Sequence, residues 1–248
     1  MKKMIALALA LMMVAAVALA GAEAALNTVE AGKFTYSTSP DFPPFEYKDD
    51  DGNIVGIEPD LMVKICEKIG LEAVPMAMDF DGALLAAQQG KVDAVVSGVT
   101  VTEERKLVFD FADSYTTITQ AIVSKDGTVT QEDLKDKLIG VQRGTTGNIY
   151  ASDDFGDDHV AAYDTYTLVF EALQNGQVDC VLLDDAVAKQ FIAMIPGLAM
   201  QPTDYPIEEY AFGISKGNTA LLEAINGALA ELIEDGTVQA IIDQYMAE

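Results

Sequence analysis

The chain has 248 residues, half of them hydrophobic, with a formal net charge of −25, two cysteines and one histidine. The apolar fraction excludes a disordered chain, and the length suits one large domain or two of about 100–120 residues. The charge excludes a nucleic-acid binder, which needs the opposite sign, and one histidine with two cysteines offers no metal-ligand set. Strong acidity favours solubility, fits a salt-adapted surface and mildly attracts cationic solutes.

Lys2 and Lys3 precede an uncharged run from Met4 to Ala20, and Ala22-Glu-Ala24 follows as a small-residue cleavage match. This pattern predicts a signal peptide over residues 1–24, cleaved after Ala20 or Ala24, with an uncleaved anchor as the alternative. Ala22 follows Leu19-Ala20-Gly21 where a lipoprotein needs cysteine. The mature protein is therefore expected outside the cytoplasm, soluble and without a lipid anchor.

Phe34–Thr38 reads as a first strand, and Ser39-Pro-Asp-Phe-Pro-Pro-Phe45 as irregular, because proline removes ladder donors. Asp49-Asp-Asp-Gly52 is a turn cluster. Pro59 suits a helix start, Leu61, Ile65, Cys66 and Ile69 follow at helical spacing, and Gly70 ends the run. A short strand near Val74 and a helix from Asp81 to Gln89 come next.

Two stretches then echo one another. Ala87-Gln-Gln-Gly-Lys-Val-Asp-Ala-Val-Val96 returns as Leu173-Gln-Asn-Gly-Gln-Val-Asp-Cys-Val-Leu182. Each reads as a helix end, a Gly stop, a Val-Asp turn and a strand buried on both faces. Between them lie expected strands at 120–124, 138–142 and near Val160, a helix opening at Thr146, and a helix from Tyr166 to Gln174. A strand at 212–215 and two helices close the chain, the last after Asp235-Gly236 with Val238, Ile241, Ile242 and Tyr245 as its core stripe. The alternation predicts an α/β protein with two mainly parallel sheets. Cys66 and Cys180 fall in separate halves and are expected to be buried free thiols.

Open α/β sheets bind ligands beyond the carboxyl ends of their strands, and the informative residues cluster there. Phe42 with Phe45, held by prolines, and Phe80 offer flat apolar walls, or simply core. In Ser97-Gly-Val-Thr-Val-Thr-Glu-Glu-Arg105, Thr100 and Glu103 match a capping box. Arg105 near a helix start needs an anionic partner, either an internal carboxylate or a ligand. Gln142-Arg-Gly-Thr-Thr-Gly147 enters a helix and can present N–H groups to an anion, though it lacks a P-loop ending. Asp184 ends the second echoed strand, as a turn residue or a partner for a cation. Together these groups describe a site for an α-amino acid.

At this point the sequence resembles the polar amino-acid-binding proteins of bacterial ABC importers, of type II periplasmic-binding fold and family 3-like, over about Phe34 to Tyr245. Phe42-Pro-Pro-Phe-Glu-Tyr47, Val55-Gly-Ile-Glu-Pro-Asp-Leu61, Met78-Asp-Phe-Asp-Gly82, the block from Gly90-Lys-Val-Asp93 to Thr102-Glu-Glu-Arg105, and Gly144-Thr-Thr-Gly147 carry it. The resemblance implies two lobes, residues 31–115 with 212–248 and residues 119–208, joined by crossings at 115–119 and 208–212. It implies that Arg105 takes the ligand α-carboxylate with the backbone N–H groups of Thr100 and Thr146. Asp184 would take the α-ammonium with the Gly98 carbonyl and the Thr100 hydroxyl, and Phe42 and Phe80 would sandwich the side chain. Ser39, Val99, Gln142 and Thr145 complete the implied contacts.

Relatives preferring glutamine or basic amino acids often carry Asp where Ser39 stands, and Glu46, Asp41 or Asp81 are candidates to compensate. The implied protein is a monomer without cofactor or metal that captures a cationic or glutamine-like amino acid by hinge closure and delivers it to a membrane permease. Two alternatives remain open. One is a cyclohexadienyl or arogenate dehydratase on the same fold, using Glu46 or the Asp185 neighbourhood as acid. The other is the ligand-binding partner of a chemosensory receptor.

Overall fold

The computed structural model describes residues 26–246, so the expected signal segment lies outside the described residues. β1 (Lys33–Thr38) opens the first sheet. The loop expected to be irregular contains a two-residue strand, β2 (Asp41–Phe42), paired with β3 (Glu46–Lys48), which pairs in turn with β4 (Ile54–Val55). The prolines at 40, 43 and 44 flank the paired residues, so none removes a donor from the ladder.

Helix α1 (Ile57–Ile69) buries Leu61, Ile65 and Cys66 and ends at Gly70, whose φ of 71° lets its N–H reach the Cys66 carbonyl. β5 (Glu72–Ala77) and α2 (Phe80–Gln88) follow, the helix capped by Asp79, which accepts the Gly82 N–H at 2.9 Å. β6 (Ala94–Val95), a single-turn α3 (Glu103–Lys106) and β7 (Phe109–Phe111) complete this stretch. The chain crosses through β8 (Thr116–Ile118) into a second unit. That unit holds β9 (Gln120–Lys125), β10 (Ile139–Gln142), α4 (Thr146–Phe155), β11 (Val160–Tyr163), α5 (Tyr166–Gln174), β12 (Cys180–Asp184), α6 (Asp185–Met194) and β13 (Leu198–Pro202). It returns through β14 (Glu208–Tyr210), antiparallel to β8, into β15 (Gly213–Ser215), α7 (Thr219–Glu234) and α8 (Thr237–Met246).

The two sheets have the same plan. The first runs β5-β1-β6-β15-β7 and the second β11-β10-β12-β9-β13. In each, four strands run the same way, and only the strand arriving from a crossing, β15 or β9, lies antiparallel, between the echoed strand and the edge strand. The sheets are therefore mainly parallel, as expected, each with one reversed strand, because a strand entering from the opposite lobe runs against its neighbours. Both echoed strands are buried on both faces: Val96 and Val95 enter different apolar clusters, as do Leu183 and Leu182. Each fully buried aliphatic side chain contributes about 1.5–3 kcal/mol. Cys66 and Cys180 are buried free thiols, and burial pushes both up to about 12.

The Val-Asp pair of each echo is more than a turn. The Asp93 N–H donates to the Thr35 carbonyl at 2.8 Å, as Asp179 donates to Leu138 at 2.9 Å. Each carboxylate then accepts the N–H of that same partner, at 2.7 and 2.8 Å. The repeated Asp thus fastens each echoed strand to the strand beside it. Asp93 is buried and also takes the Thr35 hydroxyl and the Val29 N–H, both at 2.7 Å, whereas Asp179 is exposed. Asp93→Ala should therefore cost about 3 kcal/mol in urea unfolding and Asp179→Ala about 1 kcal/mol, since buried donors left unpaired carry their desolvation penalty. Equal losses would show that the buried bonds of Asp93 add nothing.

Candidate ligand-binding site

β1, β6, β10 and β12 end around one cleft between the sheets, a narrow space of about 280 Å3 between atoms that includes its opening to solvent. Ser39, Gly98, Gln142 and Asp184 line it from these four strand ends, and Phe42, Phe80, Thr100, Arg105, Thr145 and Thr146 complete the expected set on its walls. Glu46 and Ser97 also line it. Val99 does not. Its side chain is fully buried in the cluster that holds Phe80 and Phe109, and its carbonyl accepts the Ala211 N–H at 3.1 Å.

Arg105 is buried, and its guanidinium donates to the Thr100 carbonyl at 2.8 Å and to the Gly144 carbonyl, on the opposite wall, at 3.0 Å. Its carbon lies 5.5 Å from the centre of the Phe80 ring. Among the described residues it forms no ion pair. Burial works against its charge, while the charges of Glu208 and Asp184 support it. The expected Thr100–Glu103 capping box is absent: α3 starts later, and Thr102 caps it by accepting the Arg105 N–H at 3.1 Å. That frees the Thr100 hydroxyl, which donates to Glu208 at 2.6 Å.

On the opposite wall, Thr145 caps α4 by accepting the Asn148 N–H at 3.2 Å, so the Thr146 N–H stands in the first turn without an intrahelical acceptor. Gly147 lets that helix start approach β12: a Cβ there would lie 2.9 Å from the Leu182 carbonyl oxygen. Gly98 meets the same constraint from the first lobe. Its φ is 53°, and a Cβ would come 2.5 Å from the Phe42 ring. Phe42 itself stacks on Tyr166 of the other wall, with ring centres 5.5 Å apart.

Buried carboxylates outnumber cations in this cleft. Asp184 accepts the Tyr210 hydroxyl at 2.7 Å and the Gln120 amide. Burial and then the charge of Glu208 push it up to about 7, against the pull of those two bonds. Glu46 is fully buried; one oxygen accepts the Ser97 hydroxyl at 2.8 Å, and the other has no partner among the described residues. Glu58 takes the Tyr115 hydroxyl at 2.7 Å and the Gly98 N–H at 3.0 Å. Burial raises both acids, Glu58 to about 6 and Glu46 well above the usual range, with the charge of Glu58 adding to the effect on Glu46.

Three of the sequence's charge candidates fall elsewhere. Asp41 is engaged by the Ser39 hydroxyl at 2.8 Å and by the Tyr166 N–H, across the cleft, at 2.6 Å. Asp81 lies against Gly144, outside the cavity lining. Asp185 pairs with Lys189 at 3.1 Å and does not line the cavity. Sequence reasoning did not assign Ser97, Gln120, Glu208 or Tyr210 to the site. The signal available for Glu208 and Tyr210 was their position in an expected crossing, next to the strands that carry the walls.

Comparison with known proteins agrees with this architecture. The L-cystine-binding protein TcyJ of Escherichia coli is 32% identical over 90% of this chain and 86% of its own length. ABC transporter arginine-binding protein 1 of the same organism is 33% identical over 88% and 92%. Among solved structures, an ancestral arginine-binding protein bound to glutamine superposes with a TM-score of 0.84 at 38% identity, covering 88% of this chain and all of the other. The arginine-, lysine-, histidine-binding protein ArtJ of Geobacillus stearothermophilus gives 0.83 at 33%, covering 87% and 96%. The family model for bacterial extracellular solute-binding proteins, family 3, matches residues 34–248. Two lobes of one plan, a shut cleft at their strand ends and this match make the chain a family 3 bacterial extracellular solute-binding protein, of type II periplasmic-binding fold.

Proposed function

We propose that this protein is the exported amino-acid-binding component of an ABC transporter, and that its solute is an L-amino acid with a cationic side chain. The observation that carries this reading is the buried Arg105, which has only neutral acceptors within bonding reach, opposite Asp184, a buried acid with no cation. An α-carboxylate on Arg105 and the Thr146 N–H, with an α-ammonium on Asp184, would satisfy both. Arginine is named for several relatives, and one structural neighbour holds glutamine. Ser39 is neutral, and Glu46, whose carboxyl burial and Glu58 hold against ionisation, lines the cavity with an unpartnered oxygen; a guanidinium or ammonium there would favour its ionised form, which an amide cannot do.

The paired crossing strands β8 and β14 are the natural hinge between residues 31–115 with 212–248 and residues 119–208. Arg105 and Asp184 stand on different lobes, so only the closed state meets both ligand charges, and that difference drives closure. A micromolar affinity would correspond to about −8 kcal/mol. Delivery to a membrane permease follows from the transporter role. The dehydratase alternative finds less support: of its two candidate acids Asp185 is outside the cavity while Glu46 lines it, and the similar proteins are named for binding.

Calorimetry against the amino acids should show L-arginine or L-lysine binding most tightly and L-glutamine more weakly, with Glu46→Gln narrowing or reversing the order. A preference for glutamate or an apolar amino acid would overturn the cationic assignment. Arg105→Ala should weaken binding at least a hundredfold while the far-ultraviolet circular dichroism stays unchanged; retained affinity would remove Arg105 as the carboxylate site.

The pH dependence has a definite sign. The Asp184 carboxyl titrates near 7 in the empty folded protein and near 3.8 when unfolded. Between those values the native state holds the extra proton, so this group's contribution to stability falls as pH rises through that window. A bound ammonium favours the ionised form and must expel the proton. Affinity should thus rise from pH 5 to about 7, by up to tenfold per unit, and level off above, with proton release visible in buffers of different ionisation enthalpy.

A further inference from the structure

The hinge strand β14 contributes an acid that neither the sequence pattern nor the ligand roles above employ. Glu208 is 4% exposed. Its Oε2 accepts the Thr100 hydroxyl at 2.6 Å and the Thr146 hydroxyl at 2.8 Å, and its Oε1 accepts the Gln120 amide at 3.1 Å. Thr100 belongs to the first wall and Thr146 opens α4 on the second, so a single oxygen holds one hydroxyl from each lobe. These are also the two segments that Arg105 joins, through the Thr100 and Gly144 carbonyls. Glu208 makes no ion pair among the described residues; its charge is met by three neutral donors.

We infer that Glu208 is a positioning residue: from the hinge strand it fastens Thr100 and Thr146 together and so holds the lobes shut independently of the solute. When the lobes part, the two hydroxyls can no longer share one oxygen; Thr100 stays paired with β14, so the bond to Thr146 is the one that belongs to the closed state alone. Charge-assisted hydrogen bonds are the strong ones, and a contact present only in the closed form shifts the equilibrium by its own free energy. Closing also sets the direction of the Thr100 and Thr146 N–H groups. In this the inference rests on the amino-acid reading, because those N–H groups are the proposed carboxylate donors.

The test uses the full mature chain with one dye on each lobe, at Lys64→Cys and Asp153→Cys, both exposed. The native thiols are buried and do not compete for label. Single-molecule energy transfer without solute reports the closed-to-open ratio. Glu208→Ala should lower that ratio by roughly tenfold or more, the scale expected for losing one charge-assisted bond across the cleft. It should also speed L-arginine dissociation by a similar factor. Glu208→Gln keeps the size but not the charge, and should fall in the same direction by less.

In a Thr100→Val/Thr146→Val background, adding Glu208→Ala should change the ratio little further, since the hydroxyls through which Glu208 joins the two walls are already gone and only the Gln120 bond within the hinge remains. Unchanged closure in both Glu208 variants, or full additivity in the valine background, would overturn the inference. Should Glu208→Ala fail to fold, the Glu208→Gln and valine variants decide the matter. The dye measurement needs no ligand. Failure of the unsubstituted protein to bind L-arginine would therefore count against the cationic reading and not against the latch.

Discussion

Burying a guanidinium with carbonyl oxygens as its only close acceptors removes it from water without giving it a counter-ion, and neutral dipoles offset only part of that cost. The arrangement around Arg105 is therefore electrostatically incomplete, and the incompleteness has a partner across the cleft. Asp184 keeps its carboxyl near neutrality because burial and Glu208 oppose its charge. The site holds its two vacancies of opposite sign in fixed positions on different lobes. A zwitterion fills both at once, which a simple anion or cation cannot do.

The acids behind the cleft extend the same logic. Glu46 reaches the cavity because β2, although only two residues long, pairs with β3 and turns its first residue inward, where Phe42 faces Glu46 in the ladder. The proline-rich loop thus does more than fix aromatic walls. It brings a carboxyl group to the cavity lining that Ser39 shares, where Ser39 provides only a hydroxyl already donated to Asp41.

Much of this was legible in the sequence, for physical reasons that can be named. Helix ends were visible because Gly70, Gly90 and Gly176 occupy positive-φ positions that follow apolar periodic runs. The strand-end placement of Gly98 and Asp184 followed from the echoed units, since a two-face-buried strand has a definite carboxyl end. What was hidden depended on pairing between distant segments. The one reversed strand in each otherwise parallel sheet, β9 or β15, enters from a crossing, a fact no local pattern records. Gln120 and Glu208 meet only because β8 and β14 pair, and the Thr100–Glu103 pattern gave way to the Thr102 cap because the helix starts only at Glu103. Val99 sits between two residues that line the cavity, yet its side chain is buried in the core beside Phe80 and Phe109, because the chain turns at Gly98, whose φ is positive.

The antiparallel arrival strands have a further consequence for how the chain is made. The second sheet is complete within one continuous stretch, from β9 at Gln120 to β13 at Pro202. The first sheet is not: β6 and β7 flank β15, which begins only at Gly213, and α7, against β7 and α1, and α8, against α1 and α7, pack later still. As the chain emerges from its N-terminus, the lobe that starts first must finish last, its central gap open while the other lobe closes. The exposed edges of β6 and β7 in that interval are unpaired strand edges, the feature most prone to wrong association in a growing chain.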